Sequence, residues 1–409
     1  MHLKKSRLLS NQIIKISGSK SISNRLIILH SLFQNIKMEN LSDSKDTEVL
    51  LNAVRTTNNL VDIHHAGTAM RFLTSYFSIQ EGKEVTLTGS SRMKERPIYP
   101  LVEALQQLGA SIEYTEKEGY PPVKIVGKKL QKSNVKVDAN LSSQFITSLM
   151  LIGAKLPNGM NIELIGEITS KPYILMSLRL LQSVGIEARI EENKIQIKPF
   201  KSDEKPSSSH YMEVESDWSS ASYYYSFVAV SRTPMVLKSF QNRSYQGDSI
   251  LKEIYWECFG VNTVTDIQEN QITLLPEFFS YPKKIDLDLN DAPDIAQTIA
   301  VTATLLKIPF HLKGLSTLKI KETDRLFALH QELAKIGCET IITPHSIESI
   351  SFKEPLDPIK IKTYEDHRMA MSFAPVVLKN NLQIENPEVV EKSYPKFWED
   401  LKKILEPIQ

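Results

Sequence analysis

Residues 101–114 read LVEALQQLGASIEY. Apolar residues three and four apart give a helix one apolar face, Gly109 supplies the left-handed residue that ends it, and the alternation that follows reads as a strand. The pattern returns at 175–190 (LMSLRLLQSVGIEARI), 250–264 (ILKEIYWECFGVNTV) and 326–341 (LFALHQELAKIGCETI). The four glycines, Gly109, Gly185, Gly260 and Gly337, recur every 75 to 77 residues. A repeat of that length, alternating helix with strand, predicts an α/β (α+β) protein of small modules packed around common cores. A fifth copy is expected at 50–63, with Asn58 or Asn59 in the left-handed position, and a helix over 397–404 would serve a sixth.

A chain of 409 residues is too long for one ordinary core and suggests two domains or more. Its 41% apolar and 24% charged residues place it among soluble globular proteins. The longest apolar runs, 146–154 and 299–306, fall well short of the roughly 18 residues a membrane span needs, and the basic stretch 1–11 lacks an apolar signal core. The 49 basic and 48 acidic residues nearly cancel, which removes the electrostatic case for nucleic acid. Cys258 and Cys338 are the only cysteines and fit a reducing compartment, with the cytoplasm as the default location. The Pro- and Ser-rich stretch 198–210 (KPFKSDEKPSSSH) marks the neighbourhood of a domain boundary, with three modules on either side.

Between the strand-like 12–16 and the apolar run 26–32 lies Gly18-Ser19-Lys20-Ser21-Ile22-Ser23-Asn24-Arg25. A small-residue turn opening into a helix aims free backbone N–H groups at one spot, backed by the positive end of the helix dipole, so it can seat an anion. It is no Walker A loop, since Ile13 stands where the first glycine would be. Similar helix starts follow at His65-Ala66-Gly67-Thr68-Ala69-Met70-Arg71, Ser142-Ser143-Gln144, Asp217-Trp218-Ser219-Ser220, Lys321-Glu322-Thr323-Asp324-Arg325 and Glu365-Asp366-His367-Arg368. Taken singly, each is what any capped helix looks like. Jointly they place Arg25, Arg71, Arg325 and Arg368 where the dipole disfavours a cation, and so predict a ligand carrying phosphate or carboxylate groups. Glu322 and Asp294 are the acid–base candidates, each also readable as a first-turn carboxylate, and Lys392 lies in a loop before the last helix. His64 and His65 are adjacent, without the spacing of zinc ligands, so neither a metal nor a cofactor is expected.

Ordered motifs run nearly end to end: GSKSISNR at 18–25, AGTAMR at 66–71, RMKERPI at 92–98, YPP at 120–122, SSQF at 142–145, SKPY at 170–173, SSASY at 219–223, QGD at 246–248, PD at 293–294, KETDRLFA at 321–328 and DHRMAM at 366–371. In these the chain resembles the EPSP synthase family of enolpyruvyl transferases. The resemblance implies a two-domain enolpyruvyl transferase fold of six βαβαββ units, three per domain around a pseudo-threefold axis, with the active site in the interdomain cleft. Two crossovers near Ser17 and Glu215 would leave one domain at 18–215 and the other at 1–17 with 216–409. The implied reaction moves the enolpyruvyl group of phosphoenolpyruvate to the 5-hydroxyl of shikimate 3-phosphate through a tetrahedral intermediate, releasing phosphate. These small molecules are the expected partners, and the protein is expected to be a monomer that binds neither nucleic acid nor membrane.

Carried over motif by motif, the resemblance gives shikimate 3-phosphate to Lys20, Ser21, Arg25, Ser142, Ser143, Ser170, Tyr173, Asp294 and Lys321. Phosphoenolpyruvate falls to Lys20, Gly67, Arg96, Gln144, Arg325, His367, Arg368 and Lys392, with His367 as a positioning residue beside Arg368. The catalytic set is Asp294, Glu322, Lys20 and Lys392: Asp294 would deprotonate the attacking hydroxyl, while Glu322, with Lys20 nearby, would handle the proton at the enol methylene carbon. The chain departs from the family at Ser17, His65, Phe72 and Thr317, where proline, asparagine, proline and asparagine are usual. His65 and Phe72 would border phosphoenolpyruvate, leaving affinity there, including for glyphosate, open. The segment 47–65 is shorter than usual, so the first repeat is expected to lack an element. The sibling transferase acting on UDP-N-acetylglucosamine fits less well, because neither cysteine lies in the half where its reactive thiol belongs. A non-catalytic phospho-ligand-binding relative would show a lost charged site residue, and none is lost.

Overall fold

The computed structural model describes residues 1–34, 36–139, 142–166, 168, 170–200 and 210–408, with only the backbone at His210, so most of the 198–210 stretch lies outside the described residues. Contacts divide the chain into two compact units, Lys20–Val214 and Met1–Ser19 with Glu215–Gln409.

In the unit Lys20–Val214, strand Leu60–Asp62, helix Gly67–Ser78, strand Glu84–Thr88, helix Tyr99–Gln107 and strands Ser111–Tyr114 and Val123–Val126 form one βαβαββ module. Leu60–Asp62 and Glu84–Thr88 run parallel because a helix connects them; Val123–Val126 then pairs antiparallel with Glu84–Thr88, leaving Ser111–Tyr114 at the edge. Asn134–Asp138, Ser143–Gly153, Met160–Ile165, Lys171–Ser183, Ala188–Glu191 and Lys194–Ile197 repeat both the order and the pairing. The remaining module is shorter: Ile36–Glu39 pairs in parallel with His210–Glu213 alone, beside helices Lys20–Phe33 and Lys45–Arg55.

The expected fifth helix–glycine–strand copy at 50–63 is corrected here. Helix Lys45–Arg55 ends on an extended Thr56, neither Asn58 nor Asn59 is left-handed, and Leu60–Asp62 opens the next sheet instead of closing its own. Without a residue reversing the chain after the helix, the strand cannot fold back to build a hairpin. Gly109, Gly185, Gly260 and Gly337 are all left-handed. At Gly337 a Cβ would come within 2.3 Å of the Lys353 carbonyl oxygen, so the turn needs both the positive φ and the missing side chain.

The other unit holds two full modules. Gln12–Lys15 pairs in parallel with Met235–Lys238, and helices Trp218–Ser231 and Leu251–Phe259 with hairpin Val261–Asp266 and Gln271–Pro276 complete that module. Ile285–Asp288, Ala296–Leu305, Phe310–Lys313, Arg325–Lys335, Cys338–Ile342 and Ile347–Phe352 form the next. The last, built on Ile359–Ile361 and Leu382–Ile384 with helices His367–Ser372 and Phe397–Ile404, borrows strands from the chain's start: His2–Leu3 pairs with Leu382–Ile384, and Ser6–Leu8 with Leu405–Pro407.

The first helix of each module is buried almost all round, so its polar residues must find partners inside. Hydroxyls one repeat apart meet: Ser75 with Ser148, Ser222 with Thr298 at 3.0 Å, Thr298 with Ser372 at 3.2 Å, and Thr302 with Ser226 at 2.7 Å. Small side chains let these helices approach closely, and the hydrogen bonds fix their register. Thr298→Val keeps the shape but takes a partner from both Ser222 and Ser372; a loss of about 1–3 kcal/mol in urea unfolding is expected, with Thr298→Ser near wild type.

Candidate active site

Each module places a strand-to-helix turn where the backbone N–H groups of a helix start are free, and the residues singled out by sequence collect at those turns. Within the unit Lys20–Val214, Lys20 is the first residue of its helix, with Nζ 3.2 Å from Oδ2 of the buried Asp46. Arg25, one turn on, is buried. Its Nε donates to Ser177 Oγ at 2.8 Å, its Nη1 to the Ser21 carbonyl at 2.7 Å, and its Nη2 reaches Thr147 Oγ1 and the Tyr173 carbonyl at 3.5 and 3.4 Å. Rings of Phe72 and Tyr173 lie 5.6 and 5.9 Å from the guanidinium carbon. Among the described residues no carboxylate pairs with Arg25, and burial lowers its pKa to about 10. A buried cation held only by neutral groups is built to receive an anion.

Nearby turns carry the other polar groups of this unit. Arg96 packs its guanidinium over Gly67, where a Cβ would sit 2.6 Å from Nη1, so the glycine is what lets the arginine lie against the helix start. Arg71 binds the carbonyls of Gly67 and Pro97 and fixes that turn. Ser142 caps its helix by accepting from the Gln144 N–H, and the Gln144 amide reaches Thr68 Oγ1 at 3.4 Å. Ser143 is buried. Ser170 is left-handed, and its hydroxyl does not cap the helix that begins at Lys171. Phe72 lies under Arg25, a residue the resemblance gives to shikimate 3-phosphate. The exposed His65 hydrogen-bonds Ser90 Oγ at 2.8 Å.

The unit containing Glu215–Gln409 holds a second, denser cluster. Arg325 is 2% exposed and sits at the first position of its helix; its Nε donates to Asp366 Oδ2 at 2.6 Å, Nη1 to Asp294 Oδ1 at 2.9 Å and Nη2 to Glu322 Oε2 at 2.7 Å. Arg368 reaches Asp294 Oδ2 and the Asp294 carbonyl at 3.1 Å each, and Ser219 Oγ at 3.4 Å. Lys321 stands 3.6 Å from Asp294 Oδ1, and Lys392 Nζ 2.7 Å from Glu322 Oε1. The buried His367 has Nδ1 3.6 Å from Asp366 Oδ1.

Burial alone would raise the Asp294 pKa, but Arg368, Lys321 and Arg325 outweigh it and hold the carboxyl far below its usual range. Burial lowers that of Lys321. Arg325 is lifted above its ordinary value, since its carboxylates Asp366, Glu322 and Asp294 outweigh the cost of its burial. Asp294 and Glu322 thus meet on one arginine, Asp294 with Lys321 beside it and Glu322 with Lys392.

Three residues escaped the sequence reading although their motifs had been quoted. Asp366 caps its helix through the Arg368 N–H and also binds Arg325; Asp248 accepts from Ser219 Oγ; Ser219 touches Arg368. A surplus of cations in the quoted motifs was the available signal that acids must lie near them. Arg325, assigned to phosphoenolpyruvate by resemblance, has its guanidinium enclosed by carboxylates in this structure.

The second half of the chain and most of the first match one family model, EPSP synthase (3-phosphoshikimate 1-carboxyvinyltransferase), over residues 56–401. The 3-phosphoshikimate 1-carboxyvinyltransferase of Bacteroides fragilis is 43% identical over 397 residues, covering 95% of this chain and 94% of that protein. Its counterpart in Haemophilus influenzae is 36% identical over 429 residues, covering 96% of each. Among solved structures, an EPSP synthase from Acinetobacter baumannii superposes with a TM-score of 0.72 at 21% identity, over 100% of this chain and 99% of that one. The enolpyruvyl transferase NikO from Streptomyces tendae gives 0.69 at 12% identity, with the same coverage. The fold is that of the two-domain enolpyruvyl transferases. The chain belongs to the EPSP synthase family.

Burial, and then the neighbouring Asp294, raise the carboxyl of Asp248 to about 6, with Arg368 and Ser219 opposing. The folded protein therefore holds a proton there that the unfolded chain, with an ordinary carboxyl near 3.8, has released. Stability contributed by that proton is full below about pH 4 and is lost as pH rises through about 6. Asp248→Asn should remove this fall, so urea-unfolding free energies of wild type and variant converge toward acid and separate toward neutrality.

Proposed function

We propose that this protein transfers the enolpyruvyl group of phosphoenolpyruvate to the 5-hydroxyl of shikimate 3-phosphate. The observation that carries the proposal is the pairing of Asp294 and Glu322 on Arg325, flanked by Lys321, Lys392 and Arg368, in a chain of this family. Both substrates are anions, and each cluster presents cations at helix starts.

In the proposed reaction Asp294 accepts the proton of the 5-hydroxyl as its oxygen bonds to C2 of phosphoenolpyruvate. Glu322, steadied by Lys392, supplies the proton that turns the methylene carbon into a methyl group. The resulting ketal collapses when the C2–O bond to phosphate breaks and a methyl proton returns to Glu322, regenerating the enol ether, while the proton taken up by Asp294 leaves with the phosphate. Held by Arg368, Lys321 and Arg325, Asp294 is too weak a base in the free enzyme. Phosphate and carboxylate groups drawing Lys321 and Arg368 to themselves would restore its basicity, so that proton acceptance awaits substrate. Arg325 serves by fixing the two carboxylates, while Arg25 takes the shikimate 3-phosphate side with Lys20, Ser21, Ser142, Ser143, Ser170 and Tyr173. Gly67, Arg96, Gln144, His367, Arg368 and Lys392 take phosphoenolpyruvate.

A cytoplasmic location belongs to the same proposal, supported by the free, buried thiols of Cys258 and Cys338 and by the described helices, none of which is long and apolar enough to cross a membrane. Sedimentation is expected to give a monomer.

Phosphate release measured with both substrates, against each alone, tests the reaction; release without shikimate 3-phosphate would refute it. Glu322→Gln should lower kcat by roughly 10²- to 10⁴-fold with binding retained. Arg25→Lys, which loses the planar fork, should raise the KM for shikimate 3-phosphate about tenfold or more and leave that for phosphoenolpyruvate in place.

A further inference from the structure

Asp366, His367 and Arg368 follow directly on Tyr364 and Glu365, two consecutive non-glycine residues in the left-handed region, with φ of 54° and 58°. Side chains other than glycine and asparagine rarely adopt this conformation singly, and the surrounding structure must impose it on two in a row. The Glu365 side chain is exposed and imposes nothing. A backbone hydrogen bond from the Asp366 N–H to the Thr363 carbonyl at 2.9 Å closes the turn, and the chain entering it is anchored on Glu332, a carboxylate with no exposure at all, near the end of the helix Arg325–Lys335.

Its Oε1 accepts from Tyr364 Oη at 2.8 Å, its Oε2 from the Lys362 N–H at 3.1 Å, and both from Lys335 Nζ at 2.9 and 2.7 Å. Lys335 in turn donates to the Lys360 carbonyl at 2.9 Å. The same helix begins at Arg325, whose guanidinium holds Asp366. One helix therefore grips the segment 360–366 twice, through Glu332 before the left-handed pair and through Arg325 after it. The left-handed pair lies between those grips, and Arg368 leaves it aimed at Asp294.

We propose that Glu332 is a positioning residue for the transfer reaction: by clamping Lys362 and Tyr364 it holds in place the left-handed turn at 364–365 that sets His367 and Arg368. The inference rests on the reading of His367 and Arg368 as phosphoenolpyruvate-binding groups. Glu332→Gln keeps the shape but turns an N–H₂ toward donors, breaking at least one grip. Its KM for phosphoenolpyruvate should rise about tenfold, with that for shikimate 3-phosphate within twofold of wild type.

The decisive arm is rescue. Glycine adopts the left-handed conformation without strain, so Glu365→Gly, silent by itself, should return the KM of the Glu332→Gln protein to within about threefold of wild type. Should Glu332→Gln fail to fold, Tyr364→Phe removes one grip alone and should show the same selective rise, about threefold. A Glu332→Gln enzyme with an unchanged KM, or one impaired toward both substrates and unmoved by Glu365→Gly, would overturn the proposal. Arg368→Lys run in parallel separates the two readings: no effect of that substitution on phosphoenolpyruvate would remove the site assignment itself, whatever Glu332 does.

Discussion

The buried guanidinium of Arg325 organises the acids and cations gathered around it. A cation enclosed in protein is tolerated only if its charge and its five donors are met, and here Asp294, Glu322 and Asp366 meet them from three different segments. The requirement works in both directions. Three buried or half-buried acids would repel one another without the arginine, and with it they are fixed at a common centre. Asp366 passes the constraint to its own helix by capping it, Asp294 passes it to Arg368 and Lys321, and Glu322 to Lys392.

The two clusters solve different electrostatic problems. Arg25 is surrounded by hydroxyls, carbonyls and two aromatic rings, which lower the cost of its burial without neutralising it. The cluster around Arg325 is nearly neutral, cations and carboxylates interleaved. The first arrangement suits a site that gains its counter-charge on binding. The second suits one that must carry out proton transfers, because small displacements of Lys321 or Arg368 change the basicity of Asp294 strongly in a low-dielectric setting.

Repetition explains where these groups sit. Modules offer helix starts near the ends of their strands, and the side chains proposed to act occupy such positions: Lys20, Gly67, Ser142, Ser219, Asp294 and His367 at or near first helices, with Ser170, Asp248, Glu322 and Lys392 near the starts of second helices. Symmetry of the backbone is exact enough for buried hydroxyls to meet one repeat apart, yet the side chains at the helix starts differ from module to module. The fold supplies equivalent sockets, and the chemistry comes from filling them unequally.

The modular architecture was legible because the helix period, the glycine that ends each helix and the spacing of 75 to 77 residues are local properties of the chain. The anionic nature of the ligand was legible too, since cations at helix starts are disfavoured locally and so announce another purpose. The shortened first module misled the reading, because a helix followed by polar residues and a strand resembles a full repeat until the pairing of Leu60–Asp62 with Glu84–Thr88 is known. Sequence alone fixed neither the partners of Arg325, nor the place of Phe72 beneath Arg25, nor the grip of Glu332 on Tyr364. Those contacts join residues 41, 47 and 32 positions apart. Coulomb attraction and packing act through space, and only the folded chain decides which charges become neighbours.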